Sequence, residues 1–104
     1  MKINLIQHIM KNIIKDCDYI VHLADIVAGI GYVFDKQYEI FKLNNAINTN
    51  LFQATIDSGI KKLIYAASSS CYGTPKKLPT SENDKIDLKN PYAATKFIGE
   101  EIIM

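Results

Sequence analysis

Residues 36 to 57 contain neither glycine nor proline, and a short apolar run stands on each side of them. Ile40, Phe41, Asn44, Ile47, Leu51, Ala54 and Thr55 recur there at helical intervals, which predicts one long helix. Ser58-Gly59 is a suitable stop, because glycine tolerates the left-handed conformation that closes a helix. The run before it, Tyr19-Ile20-Val21-His22-Leu23-Ala24, and the run after it, Leu63-Ile64-Tyr65-Ala66-Ala67, are short and almost continuously apolar. That is the pattern of parallel strands buried on both faces. Two strands joined by a long helix form a crossover unit, which is right-handed in nearly every sheet. The chain is therefore expected to be α/β, with a parallel sheet.

The rest of the sequence extends this unit. Ile3, Ile6, Ile9, Ile13 and Ile14 lie at helical spacing in residues 3 to 15, an amphipathic helix that Asp16-Cys17-Asp18 interrupts. A glycine-bearing loop is expected around Gly29 and Gly31. Residues 68 to 90, with Pro75, Pro79 and many charges, read as loop. Asn90-Pro91 is a helix start, a capping residue followed by proline at the first helical position. The last helix should run from Pro91 toward Met104, burying Phe97, Ile98, Ile102 and Ile103. The order helix, strand, helix, strand, helix supplies fewer strands than a doubly wound sheet needs. The 104 residues are thus expected to be a single partial domain, the middle of a larger one.

Composition narrows the function. The net charge is +1, which gives no basic field for nucleic acid or an anionic membrane. The longest apolar stretch, Ile20 to Phe34, is interrupted by His22 and Asp25, and falls short of the ~20 residues of a membrane span. Met1-Lys2-Ile3-Asn4-Leu5 lacks the pattern of a signal peptide, so a cytoplasmic setting is expected. Cys17 and Cys71 have no CxxC spacing, so neither a disulfide framework nor a metal site is expected. All twelve basic residues are lysine, so the bidentate arginine fork for phosphate is absent.

The chemistry concentrates in Tyr92-Ala93-Ala94-Thr95-Lys96. On a helix, positions four apart share a face, ~6 Å apart along the axis. An ammonium there favours the tyrosinate, so the phenol can exchange a proton with a sugar or alcohol hydroxyl. Ser68-Ser69-Ser70 closes the second strand, at the carboxyl ends where such sheets bind ligands. A hydroxyl there can hydrogen-bond the reacting oxygen.

With these pieces in order, the sequence resembles the extended short-chain dehydrogenase/reductases, the NAD-dependent epimerase/dehydratases. The matching segments are Val21-His22-Leu23-Ala24, Asn44 with Asn50-Leu51-Phe52-Gln53-Ala54, and Gly59 to Ala66. They continue with Ser68-Ser69-Ser70-Cys71-Tyr72-Gly73 and with Asn90-Pro91-Tyr92 through Glu101. The resemblance implies a Rossmann-like doubly wound sheet, of which this is the central βαβα segment. It implies NAD or NADP as cofactor, a nucleotide-sugar substrate and a homodimer in the complete enzyme. Tyr92 would be the acid/base and Lys96 would lower its pKa and hold the nicotinamide ribose. Ser68 would be the catalytic serine, with Ser69 the alternative if the strand end slips by one. Asn44 would support the site beside the cofactor, and Leu23 and Ala24 would lie against the cofactor.

Val27-Ala28-Gly29-Ile30-Gly31 is similar to a loop of the GDP-L-fucose synthase and GDP-mannose 3,5-epimerase branch. There a catalytic cysteine stands two residues past the serine. Here that register holds Ser70 and the cysteine is Cys71, which favours a buried or incidental thiol. The family's glycine-rich pyrophosphate turn and its C-terminal substrate part do not occur in these residues. The chain by itself is therefore expected to bind NAD weakly or not at all. Asp25 stands where the family usually has a small residue, and a carboxylate there would repel the cofactor phosphates unless it points to solvent. His22 is expected to be a packed strand residue. The competing reading is a catalytically inactive relic or binding module of the same fold. A redox-sensing regulator would have lost the Tyr and Lys, which are present here.

Overall fold

The computed structural model describes residues 2–104, with side chains described from Leu5 onward. The order of elements is α1 (Lys2–Ile14), β1 (Tyr19–His22), α2 (Ile30–Asp35), α3 (Gln37–Asp57), β2 (Lys62–Tyr65), a 3-10 turn (Ser69–Tyr72) and α4 (Pro91–Ile103). β1 and β2 pair in parallel, with Tyr19 opposite Lys62 and His22 opposite Tyr65. The long crossover helix is α3, as the absence of glycine and proline requires. It ends where expected: Gly59 has φ +65°, and the Ile60 amide reaches back to the Thr55 carbonyl.

α3 and α4 cover the same face of the strand pair. From β1, His22 lies edge-on to Phe52 of α3, with ring centroids 6.0 Å apart, and at 5.5 Å from Tyr65. Ile40, Leu51, Phe52 and Ala54 of α3 are buried with Val33 of α2 and Ala93 of α4. Each large apolar side chain so buried contributes ~1.5–3 kcal/mol, before the entropy of ordering it. α4 starts as its sequence dictates: the Asn90 side chain accepts from the Ala93 amide at 2.9 Å, and Pro91 follows. Such a cap is worth ~1 kcal/mol.

Several expectations need correction. The strands end at His22 and Tyr65, so Leu23, Ala24, Ala66 and Ala67 lie beyond them. Tyr19, Val21 and Ile64 are exposed, because no helix among the described residues covers the second face. The glycine loop gives way to a short helix from Ile30, preceded by Gly29 as its cap residue. In α1, Ile6, Ile9 and Ile13 are exposed and Ile14 is buried; the Ile3 side chain lies outside the described residues. α1 rests on α3, pinned by Lys11 to Asp57 at 3.0 Å, and that contact covers only part of its apolar stripe.

The buried face of α4 also differs from the apolar pattern. Ala93, Thr95, Lys96 and Gly99 are buried, whereas Ile98, Ile102 and Ile103 are exposed and Phe97 is half-buried. Small residues win because α4 packs close against Tyr65 and α3. A Cβ at Gly99 would lie 2.7 Å from Tyr65 Cζ and 3.0 Å from Asn48 Nδ2. Gly99→Ala should therefore lower stability by about 1–3 kcal/mol from overpacking, although alanine improves helix propensity by ~1 kcal/mol. A urea titration of the full chain checks this; a midpoint equal to or above the parent's would mean that Tyr65 yields freely.

Candidate active site

The site is built where the two strands end. Lys96, in the second turn of α4, reaches back to the carboxyl end of the sheet. Its Nζ lies 3.0 Å from Asp25 Oδ2 and 4.6 Å from the centroid of the Tyr65 ring. Asp25 stands three residues past the end of β1, and Tyr65 is the last residue of β2. Both members of the ion pair are withdrawn from water, each side chain 6% exposed. The Asp25 carboxylate therefore does not point to solvent but to Lys96. A buried ammonium needs a counter-charge, and Asp25 supplies it.

Burial alone would push the Lys96 ammonium down in pKa. The hydrogen bond and charge of Asp25 outweigh that, Tyr65 and Tyr92 add smaller contributions, and the net direction is up. The Tyr65 phenol moves up as well, chiefly because it is desolvated, with the Lys96 charge opposing. Asp25 Oδ1 is buried without a hydrogen-bond partner.

Neutral polar groups hold this pair in place. Asn44 of α3 is fully buried; its Oδ1 accepts from the Ile26 amide at 2.7 Å and its Nδ2 donates to the Ile26 carbonyl at 3.2 Å. Both ends of the amide are spent on the residue next to Asp25. Asn44 thus braces the loop that carries Asp25. Asn48, one turn later, meets His22 Nε2 at 2.8 Å and donates to the Tyr65 hydroxyl at 3.5 Å. His22 is 3% exposed and packed, as its strand position suggested. The Tyr65 hydroxyl donates to the Lys96 carbonyl at 3.4 Å, tying β2 to α4.

Tyr92 sits in the first turn of α4, half-buried, one turn before Lys96. Leu23 and Ala24 are exposed just past β1 and form an open rim beside Asp25. Ser68 caps the 3-10 turn: its hydroxyl accepts from the Ser70 amide and lies 2.8 Å from Ser70 Oγ. It lines a cleft with Cys71, Phe97 and Glu100 on the flank of α4. Among the described residues, no hydrogen bond joins the Tyr92 hydroxyl to Ser68 or Lys96. Ser69 is exposed. Cys71 is 2% exposed, its thiol donates to the Ala93 carbonyl at 3.6 Å, and burial pushes its pKa up. That is a packed thiol.

Sequence reasoning missed Asp25, Tyr65 and Asn48 as parts of the site. One signal was available: a lysine on a helix face that packs against a sheet needs a carboxylate within reach, and Asp25 follows the first strand directly.

Comparison with known proteins places the chain in a family. A profile of the NAD dependent epimerase/dehydratase family matches residues 3–104. The chain belongs to the NAD-dependent epimerase/dehydratase family. A bifunctional UDP-glucose and UDP-xylose 4-epimerase of Pisum sativum is 34% identical over 86 residues, covering 82% of this chain and 24% of that protein. An uncharacterised protein of Methanocaldococcus jannaschii is 39% identical over 87 residues, covering 83% of this chain and 26% of that protein. The UDP-glucose 4-epimerase of Bifidobacterium longum, solved with NAD+ and UDP, superposes with a TM-score of 0.83 at 28% identity. That superposition covers 93% of this chain and 30% of the other. The UDP-N-acetylglucosamine 4-epimerase of Methanobrevibacter ruminantium gives a TM-score of 0.80 at 32% identity, over 90% and 30% of the two chains. The fold is thus the Rossmann-like fold of the epimerase/dehydratase family. The chain spans about a quarter of the length of the curated relatives that it matches.

The raised Lys96 pKa has a pH signature. Its contribution to stability is full below the unfolded lysine value of ~10.4, and is lost as pH rises through the folded value. Lys96→Met removes the charge and leaves Asp25 without its counter-ion. The stability gap between parent and Lys96→Met should be widest at neutral pH and narrow above about pH 10.4. Urea midpoints measured from pH 7 to 11.5 check it; a gap independent of pH would contradict the assignment.

Proposed function

We infer that this chain forms the catalytic centre of an NAD(P)-dependent sugar-nucleotide epimerase or dehydratase. The observation that carries the reading is the seat of Lys96. It joins the first turns of α4, which carry Tyr92, to the carboxyl ends of both parallel strands through Asp25 and Tyr65. Ligands of open α/β sheets bind at those ends. Membership of the family and the nucleotide-sugar epimerases among its relatives support the same substrate class.

The residues fit the ribose end of a nicotinamide nucleotide. Lys96 has three N–H donors and Asp25 takes one, which leaves a donor for a ribose hydroxyl. Leu23 and Ala24, exposed at the strand end, leave an open apolar rim for a flat ring. A nicotinamide held there would supply the hydride chemistry at the sugar carbon. This chain's own groups handle the proton. Tyr92 takes it from the sugar hydroxyl as the carbonyl forms, and gives it back in the reverse direction. Lys96 stabilises the phenolate by its charge. The Ser68 hydroxyl, once turned from Ser70, donates to the same sugar oxygen. Asn44 keeps the Asp25 loop in register while this happens.

The finer resemblance to the GDP-sugar branch rests on Val27-Ala28-Gly29-Ile30-Gly31. It makes GDP-sugars part of the substrate set to be offered, beside UDP- and dTDP-sugars.

The test uses the protein expressed at its native length. Tyr92→Phe should lower turnover of the nucleotide sugar about 10²–10⁴-fold, the usual worth of a general acid/base. NAD affinity, measured by calorimetry, should stay nearly unchanged. Turnover retained in Tyr92→Phe contradicts the reading, and so does a parent protein inert toward every nucleotide sugar offered.

A further inference from the structure

Asp25 buries a carboxylate beside the one lysine that the proposed chemistry needs to be positive. Two unit charges 3.0 Å apart and shielded from water nearly cancel at a distance. A third group one helical turn away feels the pair as a dipole rather than a full positive charge. Tyr92, four residues before Lys96 on α4, is that third group.

Among the described residues, none of the groups around Lys96 is a second cation. They are Asp25 after β1, Tyr65 at the end of β2, Tyr92 on its own helix and the Cys71 thiol of the 3-10 turn, with the Glu100 carboxylate one turn further along α4. α3 contributes Asn48, which is neutral. His22 of β1 lies behind Tyr65, with its Nε2 on Asn48. The Asp25 carboxylate is moreover held on one side only, since Oδ1 has no partner. It is braced from the backbone, by Asn44 on Ile26.

We propose that Asp25 is a positioning residue: it anchors the Lys96 ammonium and offsets its charge, and so governs how readily the Tyr92 hydroxyl releases its proton. The proposal deepens the reading of Tyr92 and Lys96 given above and rests on it for its functional meaning. Its electrostatic content concerns this chain alone. Asp25→Asn keeps the shape and an acceptor for Lys96 but removes the negative charge. It unmasks the ammonium, and the Tyr92 proton is then lost at lower pH.

The chain holds six tyrosines, so the readout must isolate one. Tyrosinate absorbance is followed against pH in the full chain, and the same titration of the Tyr92→Phe counterpart is subtracted. The experiment is repeated in the Asp25→Asn background. The Tyr92 transition should move down by about half a unit to one unit in Asp25→Asn. A residue that merely supports the fold would leave the transition where it was. Asp25→Ser, smaller and also neutral, is the second variant should the first fail to fold, and it should move the transition the same way.

In the protein at native length, the alkaline-favoured limb of kcat/KM for the nucleotide sugar should move down with it. Activity per molecule then rises at the low-pH end of the profile. A Tyr92 transition that stays put or moves up in both variants overturns the proposal. A transition that moves, in a protein that turns over no nucleotide sugar, keeps the electrostatic assignment and defeats the proposed function instead.

Discussion

The buried ion pair between Asp25 and Lys96 holds the two halves of this structure together. Asp25 belongs to the loop that leaves β1, and Lys96 to the last helix, 71 positions later in the sequence. Their contact fixes how α4 lies across the strand ends. Without it α4 would be held by small side chains packed on Tyr65 and α3 and by hydrogen bonds from Tyr65 and Cys71 to its backbone. Removing water from two charges is costly, and a buried pair often stabilises no more than an apolar pair of the same shape. Losing one partner is a different matter, since it strands a charge. The pair therefore specifies geometry more than it adds stability.

Around the pair the protein places neutral hydrogen-bonding groups. Asn44 and Asn48 lie one turn apart on the face of α3 toward the strands. One grips the backbone of Ile26 and the other reaches His22 and Tyr65. Tyr65 then closes the circuit to the Lys96 carbonyl. β1, β2, α3 and α4 each contribute a polar group to this junction. The arrangement explains why a helix whose outer residues are isoleucines turns alanine, threonine, lysine and glycine inward.

Much of the architecture could be read from the chain. The crossover helix, its stop at Gly59 and the Asn90-Pro91 start of α4 follow from local chemistry. Local chemistry also set the two strands, with ends that ran two residues too far because alanine carries no boundary signal. The missing information was tertiary. α4 packs on an aromatic ring, so Gly99 and Ala93 beat the larger isoleucines for the inner face, and hydrophobic periodicity pointed the wrong way. α2 was hidden because Gly29 and Gly31 suggested a loop, while Val33 anchors a short helix there. Of the candidate site, motif spacing singled out Tyr92 and Lys96, and the family resemblance singled out Asn44. Asp25 was seen as a departure from the family pattern, but its partner was not, because Lys96 lies far along the chain and only the fold brings the two together. Tyr65 read as an ordinary strand residue.

The most direct measurement is a double-mutant cycle on Asp25 and Lys96, with urea stability of the full chain as its readout at neutral pH. The single changes are Asp25→Ala and Lys96→Met, and the third variant carries both. If the pair organises the junction, each single change costs about 3–5 kcal/mol, and the double variant recovers most of the loss. The coupling energy then lies well outside the ~0.5 kcal/mol of independent sites. Single effects that simply add would mean that the two charges do not hold each other, and the account of the site would fail with them.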